Sequence, residues 1–272
     1  MSEERAQKLR EYDGPDKVIS AQEMHLLLGD QADGLYNIKC GIPGLDDAMG
    51  GFQDGELIVI SGETKNGKTL LSQSMTVGFT KQQHFPLWFS YEVPARQFLA
   101  QFPMLPMIYM PEKLKSHAMN WFYDRCDEAH AKYGTRIIFI DHLHYLIDMA
   151  QAQNASIQIG NIIRNLKLFA VSRHYTIFLM CHTTKLAQGQ DLSYHCIRDS
   201  SIISQESDSV IMVKRTPDSG ENTARARVEF HRRTGVMNRI VGLVKTGGLL
   251  RECVYDEPEE TDSTQYKRRA YR

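Results

Sequence analysis

One short stretch constrains the fold more than any other part of the chain: residues 62–69, which read GETKNGKT. Their spacing matches the pattern GxxxxGK[ST], which arises by chance in about one chain per hundred of this length. The stretch follows an apolar run, ELIVIS, and precedes a helical pattern, which is the setting that this loop requires. Such a run is typical of a strand buried on both faces. The chain is therefore expected to contain a strand–loop–helix unit inside an α/β domain.

The residue types of this loop suit the binding of a nucleoside triphosphate. Glycines let backbone N–H groups surround phosphate oxygens, and the N-terminus of the following helix adds a favourable dipole. Lys68 is predicted to reach the β- and γ-phosphates, and Thr69 to ligate Mg²⁺. The predicted cofactors are therefore ATP or another NTP, together with Mg²⁺. The loop residues predicted to contact the nucleotide are Gly62, Thr64, Asn66, Gly67, Lys68, Thr69 and Leu70.

The order of apolar and helical segments along the chain predicts a mostly parallel sheet. Helical patterns at 115–134 and 158–174 lie between the earlier strand candidates, as in βαβ units. The last candidates follow one another without a helix, which favours an antiparallel edge. The strand candidates after the loop are 86–92, 136–141, 176–182, 208–215 and 226–233.

Two carboxylates at predicted strand ends supply groups that the hydrolysis of a triphosphate needs. Asp141 ends the run RIIFID, which is the placement of an acid that holds Mg²⁺. Glu92 ends WFSYE and is a candidate general base for water. The alternative roles are a helix cap for Asp141 and a cap or surface carboxylate for Glu92. His142 and His144 are interpreted as residues of the site rim or the core, because no third metal ligand lies at a suitable spacing.

Further polar side chains close the later strand candidates. His182 ends TIFLMCH and is a candidate sensor of the γ-phosphate or of the attacking water, the alternative being an ordinary core histidine. Arg215 ends DSVIMVKR, and Arg232 and Arg233 precede a turn in HRRTG. Arginines at such a position resemble a finger that reaches the nucleotide of a neighbouring subunit. A solvated basic hairpin is the alternative.

Composition and charge exclude several classes of protein. The net charge of −1 provides no global basic field, so any nucleic-acid binding must come from local loops. The five cysteines have no CxxC spacing and are expected to be reduced, mostly buried thiols. Neither a signal peptide nor an apolar run of about 18 residues is found. We therefore expect a cytoplasmic protein without a membrane partner, in the bacterial host cytoplasm if the chain is phage-encoded.

The chain is expected to have three parts. Residues 1–36 form an N-terminal arm, loose over 1–19, followed by a short amphipathic linker helix that starts with capping-box residues Ser20 and Glu23. Residues 37–255 form the ATPase domain. Residues 256–272 are acidic and then basic, which predicts a disordered charged tail.

Taken together, these motifs resemble the RecA-like motor core of DnaB-family replicative helicases, especially the branch of phage primase-helicases and Twinkle. The resemblance covers about residues 38–254 and implies a RecA-like P-loop ATPase fold. It implies Glu92 as catalytic base, Asp141 as metal residue and His182 as γ-phosphate sensor, since this branch has histidine where DnaB has glutamine. The segments that carry it are CGIPGLDDAMGGFQDGELIVISGETKNGKT, WFSYEVPARQF, IIFIDHLHYL, MCHTTK, IRDSSIISQESDSVIMVKR and FHRRTG.

The same resemblance implies contacts to DNA and to a neighbouring subunit. Lys185 and Arg198 are implied to belong to or flank the central DNA-binding loop, and Arg215 to lie near the adenine. Counting back from the glycine of FHRRTG favours Arg233 by the DnaB pattern and Arg232 by the phage pattern, so both are candidates for the finger. The DNA loop is sparsely basic, but a six-fold ring would concentrate its few cations in one channel.

The resulting expectation is a ring-forming ATP-dependent DNA helicase, a homo-hexamer or another ring, that acts on single-stranded DNA. Only about 36 residues precede the core, so a primase, polymerase or loader is expected as a separate partner. The alternatives are a RecA-like recombinase or accessory DNA-dependent ATPase, and a KaiC-like regulatory ATPase without a nucleic-acid role. A small-molecule kinase is disfavoured by Glu92 and by the lack of a recognisable acceptor site.

Overall fold

The computed structural model describes two compact units, Met1–Gly34 and Leu35–Arg272. Within them, the residues described are 1–29, 37–146, 155–183, 193, 196–197, 200–216 and 222–254. Lys185 and Arg198, predicted to contact DNA, lie outside the described residues, as does the predicted tail 256–272.

The first unit contains two helices, α1 (Glu3–Arg10) and α2 (Ala21–Gly29). Helix α2 begins with the predicted capping box: Ser20 Oγ accepts a hydrogen bond from the Glu23 N–H at 3.1 Å, and the Glu23 carboxylate accepts one from the Ser20 N–H at 2.9 Å. The loose arm predicted over 1–19 is wrong where α1 forms. No residue of α1 is buried, so the helix has no apolar stripe to signal it. Acidic residues in its first turn and basic residues in its last favour it through the helix dipole.

The second unit is built on a mixed sheet whose strands lie in the order β2-β3-β4-β1-β5-β6-β7-β8. The first five strands in this order are parallel, and β5 to β8 pair antiparallel. The predicted parallel sheet with an antiparallel edge is therefore confirmed, although β7 and β8 were not predicted as individual strands. The bounds are β1 Leu57–Gly62, β2 Leu87–Ser90, β3 Ile137–Asp141, β4 Thr176–His182, β5 Ser209–Arg215, β6 Thr223–His231, β7 Met237–Thr246 and β8 Leu249–Cys253.

Helices flank the sheet. Helix α4 begins directly after Gly67, whose φ of 96° favours glycine, and α6 ends at Gly134 with a φ of 67°. The bounds are α3 Pro43–Met49, α4 Lys68–Thr80, α5 Ala95–Ala100, α6 Met119–Tyr133, α7 Ala155–Arg173 and α8 Ser200–Glu206, with a 3₁₀ turn at Leu143–Leu146. No helix among the described residues is long and apolar enough to cross a membrane. All five cysteines are unpaired and four are buried, as predicted.

Strand β1 lies at the centre of two apolar cores, one on each face of the sheet. Ile58 and Ile60 pack with residues of α3 and α4, whereas Leu57 and Val59 pack with residues of α6 and α7. Burying one such side chain contributes about 1.5–3 kcal/mol, so both faces hold β1 in place. The uninterrupted apolar run in the sequence is thereby explained, and β1 delivers the loop after it to a rigid edge of the sheet.

Candidate nucleotide and catalytic site

The loop after β1 lies at the carboxyl edge of the parallel strands, where open α/β sheets bind ligands. Gly62 is paired with His182 at the end of β4. A Cβ on Gly62 would lie 2.3 Å from the Val213 carbonyl oxygen, so only glycine allows β5 to approach this closely. The first glycine of the loop is thus required by the packing of the sheet, and the loop can begin at the strand end.

Lys68 is held inside the loop. Its Nζ donates hydrogen bonds to the carbonyl oxygens of Gly62, at 2.7 Å, and Glu63, at 3.0 Å, and the side chain is buried. Burial lowers the pKa of Lys68, while the carboxylates of Glu92 and Asp141 oppose that shift. The charged nitrogen is therefore placed at the centre of the loop, among carboxylates that keep it protonated.

The two predicted metal residues are in direct contact. Thr69 Oγ1 donates a hydrogen bond of 2.8 Å to Asp141 Oδ2, and Asp141 is buried. Burial raises the pKa of the Asp141 carboxyl to about 6; the Thr69 hydroxyl lowers it and Glu92 raises it further. A hydroxyl and a carboxylate are oxygen ligands of the kind Mg²⁺ prefers. A buried acid with a raised pKa is stabilised in its ionised form by a cation, so this pair fits Mg²⁺.

Glu92 and His182 face each other beside this pair. The His182 Nε2 lies 3.9 Å from Glu92 Oε2, and Glu92 is the more exposed of the two side chains. Burial lowers the pKa of His182, as does Lys68, whereas Glu92 opposes the shift. The imidazole is therefore neutral at neutral pH, so it can donate or accept a hydrogen bond without adding a charge.

His142, interpreted from the sequence as a residue of the site rim or the core, lies against the predicted sensor. Its ring is 4.2 Å from that of His182, centroid to centroid, at an interplanar angle of 72°. Burial lowers the pKa of His142 to about 3, with further lowering from His182 and His144. Glu92, His142 and His182 each offer one ligand atom within 4.8 Å of the others. Spacing along the chain could not reveal this cluster, because its members follow three different strands.

A small cavity of about 200 Å³ lies beside the loop, on the side of the antiparallel strands. Asn66 Oδ1 accepts a hydrogen bond of 2.8 Å from the Arg215 N–H, which joins the loop to the end of β5. Residues that line the cavity include Lys65, Gly67, Leu70, Arg215, Thr223 and Lys245. Its position beside the phosphate loop and its mixed polar and apolar lining suit a nucleobase.

The two candidate finger arginines have different surroundings. Arg233 donates from Nε to Glu56 Oε1 at 2.9 Å and from Nη2 to the carbonyl oxygens of Met49 and Gly51, at 2.8 and 2.7 Å. Arg232 is exposed, and its guanidinium donates to main-chain carbonyls at the end of α8. Arg233 is therefore engaged inside its own subunit, whereas Arg232 lies at the surface.

The predicted DNA loop leaves the sheet directly after β4. Thr183 and Ile197 form an isolated antiparallel bridge, which brings together the two ends of the segment that contains Lys185. Helix α8 begins three residues after Ile197, at Ser200. The segment is thus anchored at both ends beside His182, the predicted sensor.

The fold and this site define a P-loop ATPase with a RecA-like core. The chain belongs to the family of the DnaB-like helicase C-terminal domain, whose family model matches residues 104–242. The KaiC-type ATPase family model matches residues 38–109, which include the phosphate loop. None of the curated proteins matches the sequence.

Two solved structures show the same fold. The ATPase domain of a phage protein is 15% identical, with a TM-score of 0.75 over 89% of this chain and 100% of that chain. A DnaB-like replicative helicase, described with its interactions with primase, is 18% identical, with a TM-score of 0.69 over 93% of this chain and 72% of that chain.

Proposed function

We propose that the protein is the motor of a ring-forming DNA helicase, which hydrolyses ATP between subunits and moves along single-stranded DNA. The observation that carries the proposal is the placement of Glu92 and His182 beside the bonded pair Thr69 and Asp141. Binding a phosphate requires only the loop. A base and a second polar group at the same strand edge are what hydrolysis adds.

In the proposed reaction, Glu92 accepts the proton of the attacking water, and Lys68 donates hydrogen bonds to the phosphate oxygens that gain negative charge. Thr69 and Asp141 would hold Mg²⁺, which neutralises charge on the phosphates when bound. His182 would hydrogen bond the γ-phosphate or the water. Because its ring is neutral and lies 3.9 Å from Glu92, it can report cleavage to the segment that follows Thr183.

The proposed finger residue is Arg232. Freeing Arg233 would break its bonds to Glu56 and to two carbonyl oxygens. Glu56 would then remain buried with one partner fewer, which costs about 1–3 kcal/mol. Arg232 loses only exposed contacts to carbonyls when it turns toward a neighbouring subunit.

Contacts to DNA and to neighbouring chains complete the proposal. Lys185 and Arg198 would contact single-stranded DNA from the segment anchored by Thr183 and Ile197. The apolar residues Met24, Leu26 and Leu27 of α2 are exposed, which suits docking of this helix on an adjacent subunit. We infer a hexamer or another closed ring, with a separate primase, polymerase or loader as further partners.

The test is the rate of ATP hydrolysis with and without single-stranded DNA, measured together with unwinding of a forked duplex. We expect stimulation by DNA and unwinding, both abolished by Lys68→Ala. Glu92→Gln should bind ATP, fail to hydrolyse it and retain assembled rings. Normal hydrolysis by Glu92→Gln would show that another group is the base.

A second candidate function is suggested by the match to the KaiC-type ATPase over residues 38–109. A regulatory ATPase of that kind would hydrolyse ATP at the same rate with or without DNA. A recombinase would instead be stimulated by DNA and form filaments without unwinding a fork. The same pair of assays, with light scattering for assembly size, separates all three functions.

A further inference from the structure

Three side chains from separate segments converge beside the phosphate loop: Glu92 after β2, His142 after β3 and His182 at the end of β4. One ligand atom from each lies within 4.8 Å of the other two. The Glu92 Oε2 to His182 Nε2 distance is 3.9 Å, and the two imidazole rings are nearly perpendicular, with centroids 4.2 Å apart. The three groups therefore surround one small volume.

The chemistry of this cluster differs from that of the neighbouring Thr69–Asp141 pair. Two imidazole nitrogens and one carboxylate oxygen are the ligands that Zn²⁺ uses in sites that keep a fourth position open. Mg²⁺ prefers oxygen ligands throughout, as Thr69 and Asp141 would provide. Borderline-soft cations such as Zn²⁺ and Co²⁺ thus have a nitrogen-rich alternative a short distance from the magnesium site.

Small side-chain movements would complete a tetrahedral site. Ligands at about 2.1 Å from Zn²⁺ lie about 3.4 Å from each other, so Glu92 and His182 must close by about 0.5 Å from 3.9 Å. Glu92 is exposed and can make that movement. His142 Nδ1 accepts only a long bond, 3.3 Å, from the His144 N–H, so its ring can turn at little cost.

The ring of His182 is also available. Its Nδ1 is buried without a hydrogen-bond partner among the described residues. No hydrogen bond at that nitrogen therefore holds the ring in its present orientation. A metal at the opposite nitrogen would fix a ring that is otherwise held by packing alone.

We propose that Glu92, His142 and His182 bind one divalent cation of the zinc class, and that the bound ion inhibits ATP hydrolysis. Coordination engages the Glu92 carboxylate that would accept a proton from water and the His182 ring that would contact the γ-phosphate. The binding site stands independently of the proposed function, whereas the inhibition rests on it.

Binding is tested by titrating Zn²⁺ into the full chain without nucleotide, in the presence of Mg²⁺ and a chromophoric chelator. All variants carry Cys253→Ser, since Cys253 is the one cysteine that is not buried. We expect one ion per chain, with affinity reduced about tenfold or more by His142→Ala and by His142→Gln. Controls are His174→Ala, which removes a surface imidazole paired with Asp54, and His144→Ala, which removes the adjacent ring.

Equal Zn²⁺ affinity of the parent chain and both His142 variants would overturn the site, as would the absence of tight binding. An equal loss in His144→Ala would overturn the ligand set. Circular dichroism establishes that each variant folds. The absorption spectrum of Co²⁺ in the parent chain adds a test that needs no variant, because an octahedral spectrum contradicts the proposed tetrahedral site.

Inhibition is tested by ATP hydrolysis at fixed Mg²⁺ with increasing Zn²⁺, each rate expressed relative to the same variant without zinc. We expect His142→Ala to require about tenfold more Zn²⁺, and added Mg²⁺ to leave inhibition of the parent chain in place. Relief by Mg²⁺ together with equal sensitivity of His142→Ala would place the effect at Thr69 and Asp141 and overturn the proposal. A parent chain without ATPase activity would refute the proposed function, while the titration would still decide the metal site.

Discussion

Thr69 and Asp141 are joined by a hydrogen bond of 2.8 Å, although 72 positions separate them in the chain. The contact links the first turn of α4 to the end of β3. It places the two predicted oxygen ligands side by side, and burial raises the pKa of the Asp141 carboxyl to about 6. A buried acid in this condition is stabilised by a cation, so the contact ties the fold to the chemistry of the site.

The first prediction concerns the Thr69 hydroxyl. Thr69→Val keeps the side-chain shape but removes the oxygen, whereas Thr69→Ser keeps the oxygen. We expect Thr69→Val to lose ATP hydrolysis by about 100-fold or more, because Mg²⁺ loses a ligand, and Thr69→Ser to stay close to the parent rate. Steady-state hydrolysis across a Mg²⁺ titration measures the effect. Equal Mg²⁺ dependence of Thr69→Val and the parent chain would exclude Thr69 as a metal ligand.

The second prediction concerns stability and pH. The folded-state pKa of Asp141 is about 6, above its ordinary value of 3.8, so the folded state binds the proton more tightly. The free energy of unfolding should therefore fall as pH rises from about 4 to about 6, by about 3 kcal/mol from this group. His142 acts in the opposite sense, because its pKa is lowered to about 3 and the unfolded state binds its proton more tightly.

Comparison with Asp141→Asn separates the two effects, since His142 is present in both chains. The parent minus Asp141→Asn difference in unfolding free energy, from urea denaturation, should decrease between about pH 4 and about pH 6. Saturating Mg²⁺ and ATP should reduce this decrease, because a bound cation favours the ionised carboxylate. A difference that is constant or rises with pH would show that the pKa of the Asp141 carboxyl is not raised.

Local patterns made much of the fold predictable. The strand before the loop is buried on both faces, so Leu57, Ile58, Val59 and Ile60 are all apolar, and the loop that follows fits one motif. Strands β7 and β8 give a weaker signal, because β7 is exposed at both ends and β8 contains the exposed pair Arg251 and Glu252. These strands follow from pairing with β6, which is a tertiary effect.

The candidate site was predictable where each group ends a strand and not where partners meet through space. Asp141 and His182 close apolar runs, so their shared edge follows from a parallel sheet. The Arg233–Glu56 pair joins residues 177 positions apart, and no spacing rule connects them. For the same reason, two equivalent-looking arginines in HRRTG could be told apart only by their surroundings.

The third prediction separates Arg232 from Arg233. Arg233→Ala removes a bond to the buried Glu56, whose pKa is raised by burial but lowered overall by hydrogen bonds that include those from His231 and Arg233. We expect a loss of about 1–3 kcal/mol in unfolding free energy. Arg232→Ala should change stability by less than about 0.5 kcal/mol and remove DNA-stimulated hydrolysis.

Mixing supplies the control for that prediction. Arg232→Ala chains lack the finger but keep their own phosphate loop, and Lys68→Ala chains have the reverse defect. We expect a mixture of the two to recover hydrolysis at interfaces where each supplies its intact half. Mixtures that stay inactive while forming mixed rings, by light scattering and tagged co-purification, would exclude Arg232 as a finger acting in trans.

The fourth prediction concerns the apolar residues of α2. Leu26 and Leu27 are 75% and 63% exposed, which is costly unless another surface covers them. We expect Leu26→Glu with Leu27→Glu to shift the assembly from rings toward monomers in light scattering, because charges would be buried at the docking surface. Gln22→Glu, which adds one charge in the first turn of the same helix, should leave the rings intact. Rings of unchanged size in the double variant would show that α2 does not hold neighbouring subunits together.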